Sequence, residues 1–104
     1  MKHLSIESIR RRLTPLLKKK GVEKAIVFGS SARKTRTRKS DLDLVIILET
    51  KKRFFNRYDE FIEIHDLIKG NIDLLIYTPK EFQAISHRKF IKKILSEGKI
   101  IYEH

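Results

Sequence analysis

Cysteine is absent from the 104 residues, which excludes a disulfide scaffold, a thiolate zinc site and thiol catalysis together. Long hydrophobic runs are absent too. The longest, Leu44 to Leu48, has five residues, against the ~20 needed to cross a bilayer. No membrane partner is therefore expected. The amino-terminal MKHLSIESIRRR carries no apolar core of an export signal, so a cytoplasmic location is expected. Repeats, linkers and low-complexity segments are also missing, and residues 1–104 read as one domain. Amide residues are scarce, at one Gln and two Asn, and with a Lys/Glu-rich surface the composition leans thermophilic.

What the sequence has in excess is positive charge, and it is unevenly placed. Residues 1–40 hold thirteen basic side chains against Glu7 and Glu23, whereas residues 41–104 hold eleven of each sign. The whole net charge of +11 therefore lies in the first 40 residues. Such a field concentrates polyanions such as nucleoside triphosphates, RNA or an acidic partner. The plainer alternative is a solvated surface that keeps the chain soluble. A single-strand-binding ribbon, with aromatics interleaved among the cations, is not present.

The apolar pattern alternates between helical and extended periods. Ile6, Ile9, Leu13, Leu16 and Leu17 form a helical stripe with Ser5 as N-cap, and Pro15 predicts a kink or restart at Thr14-Pro15. Lys18-Lys19-Lys20-Gly21 closes that helix. Ala25 to Phe28 and Asp41 to Leu48 read as strands, the second apolar enough to be covered on both faces. Phe54, Tyr58, Phe61, Ile62, His65 and Ile68 predict one helix ended by Gly70-Asn71, with Tyr58, Phe61 and His65 packed in the core. Ile72 to Tyr77 is a third strand. Thr78-Pro79-Lys80-Glu81 has the form of a capping box, one or two helices follow, and Lys99 to Tyr102 closes the chain as a strand. The expected architecture is α/β: a small mixed β-sheet covered by helices.

Chemistry concentrates at three acids. Asp41 and Asp43 are two apart on a strand, so both leave the same face. Carboxylates that close repel unless a cation lies between them, and hard oxygen donors suit Mg²⁺ or Mn²⁺ better than zinc. Asp73 is second in a strand otherwise built for burial. The intervening helix permits a parallel crossover, which brings Asp73 to the same end of the sheet. If the first strand runs antiparallel to the second, Gly29-Ser30 lies beside Asp41. There the glycine admits a close phosphate, the Ser30 hydroxyl can donate to it, and a short helix would start near Ser30 or Ser31. Residues Arg33 to Lys39 are basic at five of seven positions. They read either as cations for a triphosphate or nucleic-acid acceptor or as a solvated loop. His3, His87 and His104 have no partner at metal-ligand spacing.

Gly29-Ser30-Ser31-Ala32-Arg33, ten residues from 31 to 40, and then Asp41-Leu42-Asp43 resemble the signature of the DNA polymerase beta-type nucleotidyltransferases, especially the minimal ones. Lys34 stands where that pattern has glycine. The ending Glu97-Gly98-Lys99-Ile100-Ile101-Tyr102 is similar as well, and the likeness extends over roughly residues 5 to 103. The resemblance implies a polymerase beta palm-like fold and metal-dependent transfer of a nucleoside monophosphate, AMP from ATP, to an acceptor hydroxyl. It implies Asp41, Asp43 and Asp73 as catalytic ligands of two Mg²⁺ ions (Mn²⁺ being the alternative), and Gly29, Ser30 and Arg33 as the nucleotide-binding residues. It also implies a helical HEPN-type protein partner, a toxin that this chain modifies as antitoxin. Two alternatives stay open: a non-catalytic antitoxin that binds its partner by contact, and a basic RNA-binding domain.

Overall fold

The computed structural model describes residues 5–29, 42–68 and 72–104. Helix α1 (Ile6–Lys19) starts where the Ser5 hydroxyl accepts from the Ser8 amide and buries Ile9, Leu13, Leu16 and Leu17. It runs through Pro15 without the expected restart. Pro15 leaves the Arg11 carbonyl without its helical donor, but Arg11 and Pro15 are both exposed, and the buried residues on either side hold the turns together. At the other end the Val22 amide reaches Leu17 O at 3.0 Å and the Gly21 amide reaches Lys18 O at 3.2 Å. This double closure needs a left-handed residue, which Gly21 supplies at φ 76°.

Four strands follow the apolar runs: β1 (Lys24–Gly29), β2 (Leu42–Ile47), β3 (Ile72–Tyr77) and β4 (Lys99–Glu103). Their order in the sheet is β3-β2-β1-β4. β1 lies antiparallel to β2 and to β4, while β2 and β3 are parallel. The sheet is therefore mixed, as the crossover argument requires. One face packs α1 and the 54–68 segment onto Val27, Leu44, Ile46, Leu74 and Ile76. The other sets α3 (Pro79–Ala84) and α4 (Lys89–Glu97) onto Ile26, Phe28, Val45 and Ile47. Alternate residues of β2 thus enter two different cores, which explains why its sequence does not alternate with polar residues. The β1–β4 register shifts at Ala25/Ile26, leaving Ile101 as an extra buried residue.

The segment after β2 differs from its predicted single helix. It forms a 3-10 helix (Phe54–Phe61) and a one-turn α2 (Ile64–Leu67). A 3-10 turn advances about 20° more per residue than an α-turn, so the buried face rotates away from the 3.6-residue stripe. Phe61, Ile64 and Ile68 remain buried, but Ile62 is 62% exposed and His65 is exposed too. His65 is accordingly not a core residue. The Thr78 capping box is present in full, with Pro79 opening α3. The predicted stop at Gly70-Asn71 lies outside the described residues.

Candidate active site

Three strand ends meet at one edge of the sheet. β1 finishes there at Gly29, whose Cα partner is Leu42, and β2 and β3 both begin there. One residue further in, Asp43 has Phe28 as its partner on β1 and Asp73 as its partner on β3. Parallel neighbours lie about 4.8 Å apart and point to the same side. Asp43 shares its side with Val45 and Ile47, and Asp73 shares its side with Leu75 and Tyr77. All four belong to the α3/α4 side of the sheet or pack against it. Both acids therefore stand on that side, adjacent and of like charge.

Their surroundings differ. Asp43 is 2% exposed, and among the described residues the buried charged side chains are Asp43 and Arg57. Asp73, on the edge strand, is exposed. An ionised carboxylate loses several kcal/mol of hydration on burial unless other groups offset it, whereas an exposed one keeps its water. Asp43 is thus held inside the sheet, while Asp73 faces solvent. Of the other residues expected here, Gly29 sits at the end of β1 as anticipated. Ser30, Arg33, the loop to Lys39 and Asp41 lie outside the described residues. Among the described residues no group of three metal-ligating side chains converges. Of the expected three acids, Asp43 and Asp73 lie among the described residues and are strand partners.

Two residues hold β3 in place: Arg57, which sequence reasoning did not assign, and Tyr58, which it placed only in the core. The Tyr58 hydroxyl donates to the Leu74 carbonyl, next to Asp73. Burial raises the Tyr58 phenol above its ordinary range, and the nearby Asp73 and Tyr77 raise it further. At the opposite end, Arg57 donates to the Lys52 carbonyl at 2.8 Å and the Ile76 carbonyl at 3.0 Å. It also grips both carboxylate oxygens of Glu81, at 2.7 and 3.0 Å. Leu74 and Ile76 are two apart, so these side chains cap successive outward carbonyls of an edge strand that would otherwise offer a template for pairing. No local sequence signal marks either contact, since each spans 16 residues or more. A cavity of about 790 Å³ lies at this opposite end as well, lined by Val22, Lys24, Ile47, Phe82 and Glu103 among others. It is remote from the acids, because Lys24 opens β1 and Ile47 closes β2.

Comparison with known proteins agrees with this fold. Residues 11–104 match the family described as Polymerase beta, Nucleotidyltransferase. A Methanocaldococcus jannaschii protein named a protein adenylyltransferase is 36% identical over 104 residues, covering 96% of this chain and 98% of that one. The crystal structure of a nucleotidyltransferase from Sulfolobus solfataricus superposes with a TM-score of 0.59 at 16% identity, over 95% of this chain and 80% of that one. A toxin–antitoxin structure with AMP-PNP gives 0.63 at 16% identity, over 91% and 73%. Structural likeness at that identity shows the fold alone, and no described helix is long and apolar enough to cross a membrane. A match spanning most of the chain, on a mixed sheet with its acids in register at one edge, shows that the chain belongs to the polymerase beta-type nucleotidyltransferase family.

Proposed function

We propose that this chain transfers AMP from ATP to a hydroxyl of a protein partner, with two Mg²⁺ ions held by Asp41, Asp43 and Asp73. The observation that carries the reading is the Cα pairing of Asp43 with Asp73 beside the Gly29 end of β1. The donor set fits the ions. Its oxygens are hard, and two like charges one strand spacing apart are relieved by a cation between them. Mn²⁺, which accepts the same ligands, is the alternative ion. When bound, the ions supply neutralisation of the triphosphate and stabilise charge on the attacking and leaving oxygens.

The chain's own residues do the rest. Gly29, with no side chain, lets the outer phosphates approach the end of β1, and the Ser30 hydroxyl and Arg33 guanidinium donate to them. Asp73, on the exposed edge, takes the proton of the acceptor hydroxyl. That oxygen bonds to the α-phosphorus as the α–β phosphoanhydride bond breaks, and pyrophosphate leaves with the bridging oxygen. Asp43, enclosed by neighbouring strands, loses little freedom as it positions the reacting groups.

The choice of AMP and of a protein acceptor is supported by the full-length M. jannaschii relative named a protein adenylyltransferase. The toxin–antitoxin neighbour supports an antitoxin role and a toxin as acceptor, which we take to be a helical HEPN-type protein. Intact mass of the chain and its co-purified partner after incubation with ATP and Mg²⁺ tests the reading. Addition of one or more AMP residues to the partner is the expected result. A lengthened RNA in place of a modified protein would instead assign the acceptor to nucleic acid.

A further inference from the structure

An exposed aromatic ring borders the face of the sheet that carries the two acids. Helix α4 buries Ile91 and Ile94 against the sheet, yet Phe90 beside them is 41% exposed. Its ring meets Phe28 edge-on, with centroids 6.1 Å apart and planes at 88°. Phe28 is itself 1% exposed and is the strand partner of Asp43. The path from the Phe90 ring to the buried carboxylate is therefore one ring contact and one strand spacing, on one side of the sheet.

This arrangement does more than fill a core. The large apolar side chains most exposed among the described residues are Ile62, Leu67, Phe90, Leu95 and Ile100, and Phe90 alone of these five has a π face. The edge-on contact with a fully buried ring fixes its position while leaving surface to solvent. Lys93, exposed and three residues on, falls on the same flank of α4 by helical spacing. A flat apolar surface on the side of the sheet that carries the paired carboxylates, packed on the strand partner of one of them, suits a base attached to a metal-bound phosphate chain.

The geometry points to Phe90 as the surface on which the nucleobase of the nucleotide substrate stacks. This rests on the nucleotidyl-transfer reading above. Stacking tolerates any base but grows with overlap, so Phe90 favours purine over pyrimidine triphosphates without selecting one purine sharply.

The full chain with Phe90→Leu, which keeps apolar bulk against Phe28 and removes the ring, is compared with wild type for equilibrium binding of Mg-ATP, Mg-CTP and Mg-tripolyphosphate. ATP affinity is expected to fall about tenfold, the scale for losing one base–aromatic stack. The ATP-over-CTP preference should narrow, and tripolyphosphate binding should stay unchanged. Phe90→Trp provides an independent reading, because the chain has no other tryptophan. Its fluorescence should be quenched by ATP and left alone by tripolyphosphate. Unchanged ATP affinity in Phe90→Leu with an unresponsive Phe90→Trp overturns the Phe90 assignment while leaving nucleotidyl transfer intact. So does a variant that loses its protein partner but binds ATP normally, which would make the ring a protein contact. Wild-type chain that binds neither ATP nor tripolyphosphate overturns both readings.

Discussion

The two ends of the four-stranded sheet handle charge in opposite ways. Where β2 and β3 begin, Asp43 and Asp73 stand side by side with the same sign. Where β3 ends, Arg57 and Glu81 are of opposite sign and joined by two hydrogen bonds. The second arrangement is complete within the chain. Arg57 has its guanidinium satisfied by Glu81 and two carbonyls, and its hydrogen bond to Glu81 raises it above its ordinary range despite burial. The first sets two like charges one strand spacing apart, a repulsion that the proposed ions would relieve. In this chain one end of the sheet holds β3 and α3 together, and the other is where the proposed function places the nucleotide and its ions.

That contrast breaks most sharply at Asp43. Asp43→Asn keeps the shape and removes the charge, so transfer should fall by at least ~10³-fold, comparable to losing preorganised electrostatic stabilisation. Single-turnover transfer of label from ATP checks it. Transfer at the wild-type rate would remove Asp43 from the site. Asp73→Asn should act on a different step. ATP should still bind, while transfer falls by about 10²-fold, the usual scale for losing a positioned base. Equal losses in ATP affinity and in rate would instead make Asp73 a binding group.

The other end should answer in stability and not in activity. Arg57→Ala removes a side chain that bridges the 3-10 helix, β3 and α3, and it leaves the Ile76 carbonyl without that donor. A cost of about 2–3 kcal/mol is expected, roughly 10 °C or more in Tm for a chain of this size. The transfer rate measured well below that Tm should change little. If Arg57→Ala slowed transfer as strongly as Asp73→Asn, the division between the two ends would be wrong.

Much of this division was legible in the sequence, for reasons that are local. Ser5, Gly21 and the Thr78–Glu81 box mark helix ends through bonds that span a few residues, and all three operate as read. That Asp43 and Asp73 share one end of the sheet followed from two apolar strands and the crossover rule, whereas their direct Cα pairing came from the structure. What could not be read depends on distant parts of the chain. Arg57 lies 24 residues from Glu81, and nothing near it signals an ion pair. His65 and Ile62 were misplaced because a 3.6-residue stripe was assumed where the chain winds more tightly. The exposure of Phe90 was likewise hidden, since its neighbours Ile91 and Ile94 give α4 an ordinary apolar face.

The smallest effect sharpens the comparison through pH. Glu81 is held at about 2 from an ordinary 4.5, chiefly by its hydrogen bond from Arg57 and next by the Thr78 amide, with burial opposing both. A carboxyl lowered in the folded state contributes stability above its unfolded value and loses it as pH falls through the folded one. Above about 4.5 the folded and unfolded chains are both ionised at this position, so the contribution is complete. Between about 4.5 and 2 the unfolded chain takes up a proton before the folded one does, and the contribution shrinks to nothing. The Glu81 side chain is 45% exposed, so solvent screens the pair, and at neutral pH it is worth about 1 kcal/mol. Urea unfolding of wild type and Glu81→Gln should therefore differ by that amount at pH 7, and the difference should close as pH approaches 2. A difference that persists at pH 2 would mean that Glu81 holds α3 through its capping bonds and not through its charge.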